Sequence, residues 1–345
     1  MPSLDGDVMR RARGVLTMKP EHQSIGGDAT GSRWRGAGLA LVLLLVSGDA
    51  LAQVPPSAPT PGFFVGNEPI SPVPQPPVAD PLKIALGEDL FSDPRLSRDG
   101  KVSCSSCHDI HSNGASDQKV ETVPGGAAVT FNTPTVFNAA LNYRLNWEGN
   151  IRTLEDQAGG ALTDRRGMAM SVDADVRVLT QEKGVDQQFE AVYGHGPDRQ
   201  SLIDAIAAYE RSLLTPDSPF DHWLRGDSGA LSKEAVEGYH LFKSFGCVAC
   251  HQGVNVGGNL IEQSGIFNNP LAGRPVILRV PSLRNVATTA PYFHDGGAPT
   301  LAVAVRKMGY AQLDRVLSDE QVKAITAFLD SLTGVYHGRP LTAPR

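Results

Sequence analysis

Several things are scarce in this 345-residue chain. It has four cysteines, an aromatic fraction of 6% and no block of lysine or arginine. Without a basic run, and with a formal net charge of −6, the sequence carries no electrostatic footprint for nucleic acid. The apolar run Leu39–Val46 is too short for a comfortable membrane span. No cysteine follows it directly, which excludes a lipoprotein anchor. Strand signals are few as well. The 41% hydrophobic content is nevertheless enough for two ordinary domains, each burying its own core.

All four cysteines fall in two copies of one pattern, Cys104-Ser-Ser-Cys107-His108 and Cys247-Val-Ala-Cys250-His251. A lone C-x-x-C is open to reading as a zinc half-site, a redox dithiol or a disulfide. A four-cysteine zinc site needs neither histidine, and a thioredoxin-like dithiol needs a βαβ setting that is missing here. In C-x-x-C-H each thiol forms a thioether to a haem vinyl group, and the histidine offers an imidazole nitrogen to the iron from the same turn. The expected cofactors are therefore two covalently bound haem c groups. A porphyrin in each domain also accounts for the low aromatic content.

The run Leu39–Val46 follows Arg33 and Arg35 and leads into Ala50-Leu-Ala52 before Gln53. Residues 1–52 thus read as a secretory signal peptide, with an uncleaved anchor as the alternative. The charged stretch before it is long, so Met1 and Met18 are both candidate starts. Export to the periplasm fits c-type haem, which is attached outside the bacterial cytoplasm. Residues 53–81 are rich in proline and are expected to be an extended linker.

A second repetition follows the first. Thr133-Pro134-Thr-Val-Phe-Asn138 matches Val280-Pro281-Ser-Leu-Arg-Asn285 at an offset of 147, and Trp147-Glu148-Gly149 then falls on His294-Asp295-Gly296. One domain looks duplicated. Leu202, Ile206, Tyr209 and Leu213 share one face of a helix expected over Ser201–Leu214, while Ser318 and Gln321 are spaced as a capping box before a helix to Leu332. Short strands are expected at Ala127–Phe131 and Val276–Val280. The fold class is mainly α: two cytochrome c-type domains related by internal duplication, with few short strands. Their expected spans are 82–228 and 229–345, joined near Arg225–Ala230.

The second axial position decides what a haem does. In the C-terminal domain the candidate is Met308, which follows Leu301 and Val305 at helical spacing. A methionine there is often plain core. At the offset of 147, however, Met308 falls on Ala161, which has no donor atom. One haem is expected to be held on both sides and suited to electron transfer, the other open on one side.

The segments Ala208-Tyr-Glu-Arg-Ser-Leu, Ser218-Pro-Phe-Asp221, Gly246-Cys-Val-Ala-Cys-His, Pro281-Ser-Leu-Arg-Asn-Val and Ala290-Pro-Tyr-Phe-His-Asp-Gly296 make Leu82–Leu332 resemble the bacterial di-haem cytochrome c peroxidases. That family also contains the di-haem enzyme of methylamine utilisation and related tryptophan-oxidising enzymes. The resemblance implies that Met308 is the distal ligand of the electron-transfer haem; the methylamine enzyme has tyrosine there. It makes Trp147 the relay between haems, His294 a residue near the haem, and Gln157 a distal-pocket glutamine. Asn132, Thr289 and Pro291 match an interdomain Ca²⁺ site. Homodimerisation is common in the family.

Two departures qualify the resemblance. Ten residues after the pocket glutamine the family usually carries a catalytic glutamate, and here Gly167 stands in its place. Splitting the O–O bond needs a positioned general acid–base; Asp164, Glu155 and Asp173 are the nearby candidates, though acids near a helix start are usually solvated caps. The loop 118–131 lacks the histidine that in many relatives blocks the N-terminal iron, and His111 reads as exposed. The expected function is a periplasmic peroxidase reducing hydrogen peroxide to water with electrons from a small cytochrome c or cupredoxin. The alternatives are a peroxide-dependent oxidase of Trp or Tyr on a partner protein and a non-enzymatic di-haem electron carrier.

Overall fold

Each half of the chain is built on a pair of helices that cross at a glycine. The structure, a computed structural model, describes residues 68–122, 130–268 and 276–344. The expected signal peptide, the linker up to residue 67, residues 127–129 of the first expected strand and residues 123–129 of the histidine-free loop lie outside the described residues. In the first half, α1 (Pro81–Phe91) packs on α5 (Arg199–Ser212), with α2 (Leu154–Thr163), α3 (Val172–Thr180) and α4 (Lys183–Tyr193) around them. A Cβ on Gly87 would lie 2.1 Å from the Ala205 carbonyl oxygen, so only glycine allows α1 and α5 this close. In the second half, after α6 (Pro219–Leu224), α7 (Lys233–Ser244) crosses the later α9 (Asp319–Asp330), and a Cβ on Gly238 would lie 1.8 Å from Ala324 O. Between those two comes α8 (Leu301–Leu313).

Local sequence explains the helix ends. The expected helix at 201–214 is α5, opened by a reciprocal Asp198/Ser201 capping box, with Leu202, Ile206, Tyr209 and Leu213 all buried. Helix α9 opens on the expected Ser318/Gln321 capping box. It buries Val322, Ile325, Phe328 and Leu329, each worth roughly 1.5–3 kcal/mol of apolar transfer. The expected strand near 276–280 is β2 (Ile277–Arg279), paired antiparallel with β1 (Ile261–Gln263). A second two-residue pair, β3 (Val335–Tyr336) and β4 (Arg339–Pro340), closes the chain. Among the described residues no helix is long and apolar enough to cross a membrane.

The offset of 147 reappears in the backbone. Asn138 and Asn285 both have φ 61° and each precedes a 3-10 turn, at Ala139–Leu141 and Val286–Thr288. Isolated bridges join Leu145 to Ile151 and Tyr292 to Ala298. Thr153 and Thr300 then cap α2 and α8.

The first and last described segments cross over. The part of the proline-rich segment that is described does not run free: Ile70 sits in the C-terminal core, Tyr239 donates to Glu68 at 2.5 Å, and Arg284 donates to Ser71 O at 2.8 Å. Prolines supply no N–H of their own, so these side chains and the Val73 N–H, which donates to Asp221, do the anchoring. Conversely, after α9 the chain returns to the N-terminal core, where Leu341 is buried and Tyr336 packs edge-on against Phe137.

Candidate haem sites

Both C-x-x-C-H segments fold as one tight turn. Cys104–Ser106 and Cys247–Ala249 are 3-10 turns, and the backbone N–H groups of His108 and His251 close back on Cys104 O and Cys247 O at 2.9 and 3.0 Å. This keeps both thiols and the imidazole of each motif within one turn of backbone. Each ring is fixed from behind. His108 Nδ1 donates to Gly114 O at 3.2 Å and His251 Nδ1 to Val256 O at 3.1 Å. A carbonyl oxygen can only accept, so Nδ1 carries the proton and the Nε2 lone pair is left for a metal. Phe91 and Phe242 lean on these rings almost identically, at 6.4 Å and 51° and at 6.3 Å and 52°.

Burial lowers the pKa of His108 and takes that of His251 down to about 4. Both are neutral imidazoles at pH 7, as an iron ligand must be. Burial pushes the thiols the other way, Cys104 up to about 12 and Cys107 and Cys247 to about 11. Thiols this hard to ionise suit neutral thioethers and are poor redox dithiols. The two pairs belong to different halves of the fold, no group of three or more His, Cys, Asp or Glu side chains among the described residues is arranged to hold a metal ion, and all four cysteines are free of disulfides.

The C-terminal turn opens into a cavity of about 400 Å³. Cys247, Cys250 and His251 lie along it, with Met308 of α8 and the apolar side chains Leu278, Val305 and Leu329 among the other lining residues. An apolar chamber with two thiols, an imidazole and a thioether fits a covalent haem with His and Met axial ligands. In the N-terminal half the same Cys/Cys/His set fits the same group. There Ala161, half-buried on α2, stands where α8 carries Met308.

The residues expected between the haems do gather. Trp147, Asn132, Thr289, Pro291 and His294 all line the C-terminal cavity. Trp147 Nε1 donates to Asn132 O at 2.8 Å, and its ring meets His294 edge-on at 6.2 Å. The Asn132 amide N–H in turn donates to His294 O at 2.8 Å, so the Trp and the His are tied through one backbone unit. Asn132 also turns its side-chain Nδ2 toward Gln118 O. Gln157 stands apart from this group, half-buried in the first half of α2.

The three acids considered as replacements for the missing glutamate are all committed to arginines. Asp164 is held by Arg166 at 2.9 Å, and that bond keeps its carboxyl below the ordinary carboxylate range. Asp173 pairs with Arg199 at 2.9 Å, and Glu155 with Arg211. For Asp164 that makes the carboxylate a weaker proton acceptor. His111 is exposed.

Several residues were not singled out in the sequence. Arg284, fully buried, pairs with buried Asp221 at 2.9 Å and also donates to Val254 O, in the loop that carries the acceptor for His251. Asn113 and Asn255, both buried, lie five and four residues after the two axial histidines. Glu210 is buried with one oxygen unpartnered among the described residues, and burial takes its pKa up to about 8. Glu210, Asp221 and Arg284 fall within segments that carry the family resemblance, and the asparagines are marked only by their spacing from the two motifs.

Comparison with known proteins agrees with this geometry. Residues 81–229 match the model of the di-haem cytochrome c peroxidase family and residues 235–333 that of cytochrome c. The chain is 43% identical over 288 residues to the cytochrome c peroxidase Ccp of Escherichia coli K12; the match covers 78% of this chain and 62% of that protein, somewhat under two thirds of its length. It is 38% identical over 290 residues to the cytochrome c551 peroxidase of Nitrosomonas europaea, covering 79% of this chain and 86% of the relative. The crystal structure of a MauG-like protein associated with microbial copper homeostasis superposes with a TM-score of 0.66 at 25% identity, over 76% of this chain and 93% of that one. Two haem-binding turns on a pair of helical domains, and relatives this similar over most of the chain, establish that it belongs to the di-haem cytochrome c peroxidase family.

Proposed function

We propose that this protein reduces hydrogen peroxide to water in the periplasm, with electrons from a small cytochrome c or cupredoxin. The observation that carries the reading is the contrast between Met308, lining the same cavity as His251, and Ala161 at the corresponding place in the N-terminal half. Bound haem supplies the redox chemistry, taking up electrons singly and binding peroxide at an iron with an open side. His251 and Met308 would hold one iron from both sides. His108 would hold the other from one side, and Ala161 offers it nothing. The matching backbone at an offset of 147 supports descent of the two domains from one duplicated unit.

Trp147 would relay electrons from the C-terminal site, and the bond that fixes its indole to Asn132 O supports that role. Gln157 would orient peroxide through its amide N–H; an amide has no readily transferable proton, so protons would reach the site through water. Asn132, Thr289 and Pro291 would hold Ca²⁺ with neutral oxygens, carbonyls included. Among the described residues no cluster of three acidic, histidine or cysteine side chains competes for a metal. A weakly held ion bracing the domain interface is consistent with that donor set.

Rapid peroxide-dependent oxidation of a reduced small cytochrome c is the expected result with purified holoprotein. Failure to turn over with any small redox donor would overturn the reading. The ion-paired state of Asp164, Glu155 and Asp173 favours one alternative, slow use of peroxide to oxidise a Trp or Tyr on a partner protein. A mass gain in a co-purifying protein after peroxide treatment distinguishes it.

A further inference from the structure

Each axial-histidine loop is tied to the opposite domain by a buried asparagine. Asn113 immediately precedes Gly114, whose carbonyl takes the His108 proton, and its Nδ2 donates to Thr288 O in the C-terminal domain. Asn255 immediately precedes Val256, whose carbonyl takes the His251 proton. Its Nδ2 donates to Asn138 O at 2.9 Å and to Asn142 Oδ1 at 2.7 Å, both in the N-terminal domain. The contacts are reciprocal: each loop reaches the 3-10 turn that follows the left-handed asparagine of the other half, or that asparagine itself. The two left-handed asparagines, Asn138 and Asn285, meet at one atom, donating to Thr215 Oγ1 at 2.7 and 2.9 Å.

We propose that Asn113 and Asn255 are positioning residues that latch the axial-histidine loop of each haem to the other domain, so that a change at one iron is felt at the other. Little in this network can move alone. Thr135 Oγ1 donates to Asn113 O at 2.6 Å, Ser282 Oγ donates to Asn255 O at 2.8 Å, and Arg284 Nε holds Val254 O at 2.9 Å. Asn113 and Asn255 are 0% and 1% exposed. A buried donor that loses its acceptor pays the full desolvation penalty, so loop and turn shift together rather than part. The hydrogen bond behind a ligating imidazole sets its orientation and basicity, and through these the potential of the iron. At the other end of the Asn113 latch, Val286 and Thr289 line the C-terminal cavity. The path is thus continuous from the His108 loop to the wall of the second haem site, and it uses neither Trp147 nor His294.

The two latches differ in one respect. Asn113 Oδ1 accepts from Ala115 N at 2.9 Å, whereas Asn255 Oδ1 has no partner among the described residues and its Nδ2 serves two acceptors. The Asn255 side chain is held entirely by the other domain, and its removal should decouple more than that of Asn113.

The test uses holoprotein carrying Asn255→Ala or Asn113→Ala, with the ratio of haem to chain measured first. Stepwise reduction followed by low-temperature electron paramagnetic resonance gives the midpoint of each haem and the change that reducing one imposes on the signal of the other. In the wild type each haem is expected to perturb the other. In Asn255→Ala that perturbation is lost and the C-terminal midpoint moves by about tenfold in the reduction equilibrium, ~59 mV for one electron; Asn113→Ala gives a smaller effect. If an alanine variant fails to retain haem, Asn142→Ala carries the prediction, because it removes an acceptor of Asn255 without altering either histidine loop. Variants that hold two haems, with mutual perturbation and midpoints unchanged, would overturn the latch even if they melt earlier. So would a wild type whose haems ignore each other. The inference rests on the two-haem assignment, whose failure would show separately as a wild-type ratio below two.

Discussion

Restoring the missing acid tests whether the N-terminal site is chemically a peroxidase site. Gly167 lies in the turn after α2, which is pinned by Gly167 N to Asp164 O at 3.0 Å and Met170 N to Leu162 O at 2.9 Å. A Cβ there would meet only Ala161 O and Asp164 O, both at the ordinary contact distance of 3.8 Å, and its φ is outside the left-handed region. The backbone therefore accepts Gly167→Glu without strain. A positioned general acid–base contributes about 10²–10⁴ in rate, or about 3–5 kcal/mol of barrier at 1.36 kcal/mol per tenfold. A side chain placed without evolved support is held less tightly, so an increase of about 10-fold to 100-fold in kcat/KM for peroxide is expected. The assay is peroxide-dependent oxidation of a reduced cytochrome c across pH, with haem content confirmed. Gly167→Gln, equal in size but without a transferable proton, should gain nothing. Equal rates for the two variants would refute the reasoning.

Three further predictions concern Arg284, Glu210 and Met308. Arg284→Met leaves the Asp221 carboxylate buried and uncompensated and should cost about 4 kcal/mol; the double variant with Asp221→Asn should cost clearly less than the sum of the two singles, as measured by urea unfolding followed at the haem absorption, and additive losses would contradict this. Glu210 is kept protonated up to about 8 by burial, well above its unfolded value. The folded state then binds the extra proton between about pH 5 and 8, and stability falls as pH rises through that window. Glu210→Gln should remove this slope and melt higher than wild type at pH 8.5 while matching it at pH 5, by a difference on the order of 4 kcal/mol; parallel curves would count against it. Met308→Ala should turn the C-terminal haem from low to high spin and slow donor oxidation at least ~10-fold, both visible in absorption and stopped-flow traces.

What was legible in the sequence is what the chain encodes locally. C-x-x-C-H is a single turn, the Ser318/Gln321 box is three residues long, and Met308 follows from helical spacing plus the internal offset. The fate of the acids was harder to read: Glu155 finds Arg211 and Asp173 finds Arg199 only after α2, α3 and α5 have packed. The crossing of the first and last described segments was invisible for the same reason, since a proline-rich segment looks like a spacer until Tyr239, Lys243 and Arg284 are seen holding it. Asn113 and Asn255 look like ordinary loop asparagines, and their meaning comes from acceptors more than 100 residues away. Gly87 and Gly238 offer no composition signal either; only the helix crossings explain them.

The central claim is that one haem is closed by Met308 and the other open opposite His108. Low-temperature electron paramagnetic resonance of the fully oxidised holoprotein, before and after addition of peroxide, tests it most directly. The account predicts one low-spin and one high-spin ferric signal in equal amounts, with peroxide consuming the high-spin signal first. Two low-spin signals, both indifferent to peroxide, would contradict it and leave an electron carrier in its place.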